Sequence, residues 1–278
     1  MRDRRWRKLR RNRTALVGAA LVGVMVLGAL FADVIERYDP RERDPAAFRA
    51  PPSAAHWLGT DENGFDVWSR VVHGARSSLV TALCAVGFAL CFGVPLGLIA
   101  GWRGGWVESA IMRLVDVMLA FPSVLLAVAI AALFEQTSLS TVILAVGVVM
   151  VPTFIRQVRA AVLQVKSHEY VTAARALGAP DRRILLRTVL PNCLAPILVL
   201  GTLSTGIAIL DAAGLSFLGL GPEPTSPEWG VMLTEAFRYI RQEQQWILLP
   251  PGIAIALTVL GFNLLGDGLR DAFDPRQT

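Results

Sequence analysis

The side chains able to do chemistry in this 278-residue chain are few and scattered. Its two lysines, Lys8 and Lys166, do not follow glycine, so the Gly-Lys-Ser/Thr loop that holds a nucleotide phosphate is missing. No Gly-x-Ser-x-Gly elbow, HExxH motif or catalytic pair of carboxylates stands out either. His56, His73 and His168 lie far apart, and Cys84, Cys91 and Cys193 sit in apolar runs, where cysteine serves as a small packing residue. No metal site and no catalytic residue are expected. Ser204 and Thr205 are expected to bond between helices. Two acids need weighing. Asp211 is flanked by apolar residues, where an ionisable group is costly and often functional. It either lines a solute pathway or locks its helix to a neighbour. Asp116 has Arg113 three residues earlier, and a local ion pair is expected there.

A charged stretch rich in small residues, Ser167 to Pro191, SHEYVTAARALGAPDRRILLRTVLP, is set between two long apolar runs. It reads as helix, turn, helix. Ser167 is the expected N-cap of the first helix, with Glu169 in its first turn. Gly178 is the expected stop, with Pro180 just beyond. Asp181 is the expected N-cap of the second helix, which carries Arg182, Arg183 and Arg187 into the next apolar run. Ala173, Ala174 and Ala176 give the first helix a slim face able to sink into a groove. Glu169, Arg175 and Arg182 would ring that face with charge. On the residues alone, an ordinary connecting loop is an equal reading.

The elements that position these residues belong to a membrane protein. The chain is 54% hydrophobic and 18% charged, with mean hydropathy +0.50. Six runs approach the roughly 20 apolar residues that cross a bilayer core: Thr14–Ala32, Ser77–Gly101, Val117–Phe134, Thr137–Ile155, Val189–Leu210 and Trp246–Asn263. An all-α membrane protein with six transmembrane helices follows, since lipid leaves no backbone group unpaired. The first thirteen residues hold eight basic side chains, and 156–187 holds seven against two acids. The stretch 33–76 instead holds six basic and eight acidic residues. Basic segments stay inside, so both termini and the polar insert are expected in the cytoplasm. The net charge of +5 is thus a topology signal, and nucleic acid is not an expected partner. An uncleaved first span is expected rather than a secretion signal.

The chain divides into a basic tail (1–13), a first span (14–33), an external segment (34–76), a core (77–268) with its polar loop (156–190), and a short C-terminus (269–278). Pro40, Pro45, Pro51 and Pro52 suit an extended path for the external segment. Its end reads as an amphipathic interfacial helix, because Asp66, Val67, Arg70, Val71 and Gly74 recur at helical spacing. Trp57 and Trp68 fit the aromatic belt there. Gly93, Gly97 and Gly101 suit close helix packing. Pro122, Pro152 and Pro196 are expected to bend their spans. An outer loop should contain a helix over Val231–Arg241, with Met232, Phe237 and Tyr239 packing at the interface.

The polar insert closely resembles the EAA loop of bacterial ABC importer permeases, with Ala173, Ala174, Gly178, Leu190 and Pro191 at the family's spacing. Thr172 and Thr188 stand where that pattern has Glu and Ile. In the peptide and nickel branch the acid commonly stands three residues earlier, as Glu169 does, within an EYV-x-AARALGA string. HWLGTDENGFDVWSR (56–70), RLVDVMLAFPSVLLA (113–127), LSFLGLG (215–221), SPEWGVML (226–233) and FNLLGDGLRDAFDPR (262–276) extend the resemblance to nearly the whole chain. Phe65 departs from the usual Arg, which would remove a partner or headgroup contact.

The resemblance implies a five-helix type I importer core plus one N-terminal helix, in a bacterial plasma membrane. Glu169, Tyr170, Ala173, Ala174, Arg175, Leu177, Gly178 and Arg182 would couple this chain to an ATPase, and Asp211 would lie on the pathway. The implied partners are a second permease subunit, two ABC ATPase subunits, an external solute-binding protein and membrane lipid. This chain would bind no cofactor; ATP and Mg would belong to the ATPases. An ion-coupled secondary carrier is the alternative. Such carriers show repeats, broken helices and ionisable groups at the midplane, and only Asp211 approaches that.

Overall fold

The computed structural model describes residues 12–237 and 244–273. Helices follow in the order α1 (Arg13–Leu30), α2 (Ala32–Ile35), α3 (Val67–Arg103), α4 (Gly105–Leu119), α5 (Ser123–Ala131), α6 (Leu139–Lys166), α7 (Glu169–Ala176), α8 (Asp181–Leu220), α9 (Trp229–Phe237) and α10 (Gln245–Phe273). The described residues form no sheet beyond one isolated bridge between Thr60 and Asp66.

Among these, α1, α3, α6, α8 and α10 are long and apolar enough to cross a membrane, while α4 and α5 together form a run bent by 90°. The packing of α3 on α6 decides what that bent pair does. A Cβ on Gly93 would fall 2.5 Å from that of Phe154, one on Gly97 2.7 Å from that of Val158, and one on Gly101 2.7 Å from that of Val162. The glycines are what allow the close approach. Residue numbers climb together along the seam, so α3 and α6 run parallel. The chain between them must therefore return across the bundle, so α4 with α5 is the third crossing in chain order and brings the total to six. The helical residues start at Gly105 and stop at Ala131, so the expected bounds 117–134 are corrected, while the bend expected at Pro122 is present. Its break falls at 120–122, where Pro122 lacks an N–H and restricts the residue before it.

The expected interfacial helix after the external segment is also corrected. It is the first part of α3, continuous with the span. The helical spacing was real, but the face carrying Asp66, Val67, Arg70 and Gly74 is buried rather than interfacial. The segment between α2 and α3 is not an extended crawl. Its two arms fold together, with Asp44 N–H donating to Gly64 O, Arg49 N–H to Asp61 O and Thr60 N–H to Ala50 O. Phe65 is buried at 1% exposure, with its ring 4.5 Å from the Arg70 guanidinium and 5.3 Å from that of Arg43. A side chain at position 65 points into this segment instead of toward a partner or lipid. Trp57 and Trp68 meet edge to face, with centroids 5.5 Å apart.

α8 carries the chain from the polar loop through the span and is broken only near its end, where Gly219 takes a left-handed φ of +83°. Wider π turns at Leu185–Val189 and Ser216–Leu220 relieve it; the first precedes Pro191, whose missing N–H loosens the ladder. Helices α6 and α8 continue through Pro152 and Pro196. α9 covers Trp229–Phe237; Met232 is buried, Phe237 is exposed, and the expected continuation through Tyr239 to Arg241 lies outside the described residues. α1 packs antiparallel on α10, with Ala15 against Gly268 and Leu21 against Gly261.

Candidate functional site

The polar loop folds as two helices meeting at a tight corner. Ser167 keeps helical backbone angles and its hydroxyl donates to Gln164 O at 2.8 Å, so it closes α6 and does not cap α7. His168 takes the N-cap position with the extended backbone that position needs, though without a side-chain bond. Pro180, likewise extended, precedes α8, and Asp181 is the first helical residue instead of the cap. Gly178 stands where expected. Its φ of +78° is the left-handed conformation that glycine adopts without strain. Its N–H donates to Arg175 O at 3.0 Å, and Ala179 N–H donates to Ala174 O at 3.1 Å. Together these bonds close a Schellman motif.

One side of α7 is fastened to the bundle. Val171 is buried among Leu98, Trp102, Val158, Val162 and Ile184, with Ala174 and Ala179 packed against the same cluster. Arg175 lies 5.2 Å over the Trp102 ring and 3.6 Å from the Asp181 carboxylate. Lys166 Nζ donates to Trp102 O at 2.7 Å. The remaining surface faces out: Glu169, Tyr170, Ala173, Gly178 and Arg182 are exposed, and Leu177 is 87% exposed. The slim face is therefore split, with Ala174 toward the bundle and Ala173 and Ala176 away from it.

Asp211 lies in a cavity of about 60 Å³ at the bend of the crossing helix. Ser123, Val124 and Ala127 line it from α5, Val146 and Val149 from α6, and Gly214 from α8. Asp116 pairs with Arg156 of α6 at 2.7 Å, which corrects the expected pair with Arg113. α4 lies along α6, so a partner on the neighbouring helix is within reach, and Glu108 likewise pairs with Arg159. Thr205 is corrected too. Its hydroxyl donates to Gly201 O of its own helix at 2.9 Å, not across helices. No group of three or more His, Cys, Asp or Glu side chains suited to a metal occurs among the described residues.

Reasoning from sequence missed the joint at the other end of the bundle. Arg70 is 0% exposed and lies 3.7 Å from both Asp61 and Glu235. It also donates to Pro224 O at 3.0 Å. Glu228 accepts from Gly230 N–H and Val231 N–H at the start of α9 and from the Ser78 hydroxyl. Burial pushes the carboxyls of Asp61, Glu62 and Glu228 up from their usual range. Arg70 and backbone N–H groups oppose that rise at Asp61. The signal that could have found Arg70 was its place on the same helical face as Val67 and Val71.

A parallel pair of spans, a bent crossing helix and a short projecting helix define the class: a polytopic helical membrane protein. Residues 93–278 match the family described as binding-protein-dependent transport system inner membrane component, and residues 2–52 match the N-terminal TM domain of oligopeptide transport permease C. The chain belongs to that inner-membrane component family, as a permease subunit of the dipeptide/oligopeptide/nickel group of ABC importers. The dipeptide transport system permease protein DppC of Alkalihalophilus pseudofirmus is 46% identical over 271 residues, covering 98% of this chain and 88% of that protein. The di/tripeptide transport system permease protein DppC of Pseudomonas aeruginosa is 47% identical, covering 98% and 91%. The glutathione transport system permease protein GsiD of Pectobacterium atrosepticum is 41% identical, covering 98% and 90%. An inward-facing structure of the MetNI methionine ABC transporter shares the fold, with TM-score 0.63 at 18% identity, covering 74% of this chain and 97% of that one.

Proposed function

We propose that this subunit forms half of an import pathway for small peptides or a chemically related solute, and that α7 is its grip on a cytoplasmic ATPase. The names of its relatives support the cargo class: dipeptides, di/tripeptides and glutathione. A second permease subunit would complete the pathway. Two ATPase subunits would bind ATP and Mg, and an external solute-binding protein would deliver the cargo. The carrier alternative has no support from these relatives.

The observation that carries the coupling role is Leu177, an apolar side chain 87% exposed beside a glycine-capped corner. An exposed leucine two turns beyond Tyr170 on a helix fastened by Val171 suits an anchor for a hydrophobic slot. Ala173 lets the helix enter closely, and Glu169, Arg175 and Arg182 set its orientation. The same end of the bundle holds Asn12, which donates to Asp271 near the last turn of α10. The arginine-rich tail and loop would place that end, with both termini, in the cytoplasm. The proposed division is the tail 1–13, first span 14–33, external segment 34–76, core 77–268 with its loop 156–190, and C-terminus 269–278.

ATP-driven closure of the ATPase pair would pull on α7 and rock the bundle from inward-open to outward-open. Such a shift needs ligands that favour the two states differently, and ATP and the loaded binding protein would supply that bias. The test is Gly178→Leu together with Leu177→Asp, in membranes containing all subunits. A Cβ at Gly178 meets nothing within 4 Å in this chain. Both variants are expected to insert normally, lose the ATPase on purification and lose uptake. Wild-type uptake by both would overturn the reading.

A further inference from the structure

We propose that Asp211 is a cation-selecting station, at which the ammonium group of a passing solute is held against its carboxylate. The inference rests on the reading that the cavity at the bend of α4 and α5 belongs to the solute pathway. Asp211 is the sole ionisable residue lining that cavity. Among the described residues, no hydrogen bond or ion pair reaches its carboxylate. The acids of the crossing helix differ: Asp116 is matched by Arg156 and Glu108 by Arg159. The first turn of α5 begins at Ser123 in the cavity wall. A helix amino end carries about half a positive charge, too little to balance a carboxylate. The rest of the wall is apolar or small: Val124, Ala127, Val146, Val149 and Gly214. A lone carboxylate in such surroundings is costly, and a mobile cation relieves that cost only while it is bound. At about 60 Å³ the space suits a head group more than a whole peptide. The amino terminus of a peptide is such a group, and a solute without a cation would lose the interaction.

The test uses the full complex in proteoliposomes, with Cys84, Cys91 and Cys193 changed to alanine and Val149→Cys as the reporter thiol. Cationic and anionic methanethiosulfonates of similar size are compared, each normalised to its rate with free thiol, with and without ATP. The expected result is that the cationic reagent reacts roughly a hundredfold or more faster, because one charge roughly 10 Å away at an effective dielectric near 20 attracts one reagent and repels the other. Asp211→Asn is expected to abolish that preference and Asp211→Glu to keep it. Reaction of both reagents without preference, or a preference that survives Asp211→Asn, overturns the cation station and leaves the pathway reading standing. Reaction with neither reagent in either nucleotide condition overturns the pathway reading and the station with it.

Discussion

The two ends of the bundle solve opposite problems. At one end, Arg70 is buried between Asp61 and Glu235, stacked on Phe65, and bonded to the chain before α9. Glu228 is buried against the first amides of α9, and the indole N–H of Trp229 donates to Val71 O at 2.9 Å. These groups find partners within the same chain, so the segment before α3, α3 itself and α9 form one joint. At the other end, α7 is fastened by one buried side chain, Val171, and turns most of its surface outward. An end that closes on itself can stay rigid. On the proposed coupling role, the end that leaves Leu177 and Tyr170 uncovered is the one the ATPase would complete.

The contrast is broken most forcefully at Arg70. Arg70→Met removes the shared cation from a buried ionic joint at Asp61 and Glu235. A loss of about 3–5 kcal/mol is expected, read as a large drop in the thermal midpoint in detergent and exposure of the external segment to protease. Gly178→Leu is next. A left-handed leucine costs about 1–2 kcal/mol, and the corner of α7 should fray while the bundle midpoint barely moves.

Smaller effects sharpen the comparison. Asp61, Glu62 and Glu228 carry raised carboxyl pKa values because of burial. Between the ordinary carboxylate range and those raised values, the folded chain holds protons that the unfolded chain has released. Stability should therefore be greatest at acid pH and fall as pH rises through that window. Glu228→Gln is expected to flatten part of the slope in thermal midpoints taken across it. The smallest effect is Arg175→Ala, which removes an exposed pair with Asp181 at 3.6 Å. It should cost no more than about 1 kcal/mol and lose most of that in high salt.

Features set by local rules were legible in the sequence. Six crossings follow from apolar length, the α3–α6 seam from glycines four apart, and the corner of the polar loop from Gly178. Pro122 marked the bend of the third crossing but not its size, because a proline says where a helix breaks and not where its halves pack. The caps at Ser167 and Asp181 were placed one residue away from where the extended backbone falls. Asp116 was matched to the neighbour visible in sequence, whereas its partner Arg156 is brought near by tertiary packing. The external joint was the least legible. Its prolines suggested an open path, yet its arms close through backbone bonds and a buried arginine whose two acids lie 9 and 165 positions away.

The coupling role requires α7 to meet a nucleotide-driven partner. The most direct measurement is cross-linking from Leu177→Cys in a chain lacking its other cysteines, with a short bifunctional thiol reagent and a cysteine series in the co-expressed ATPase. A nucleotide-sensitive cross-link to the ATPase, abolished when Gly178→Leu is added, is the expected result. Labelling of the introduced thiol by an impermeant reagent from outside intact cells, with no ATPase cross-link, would contradict it.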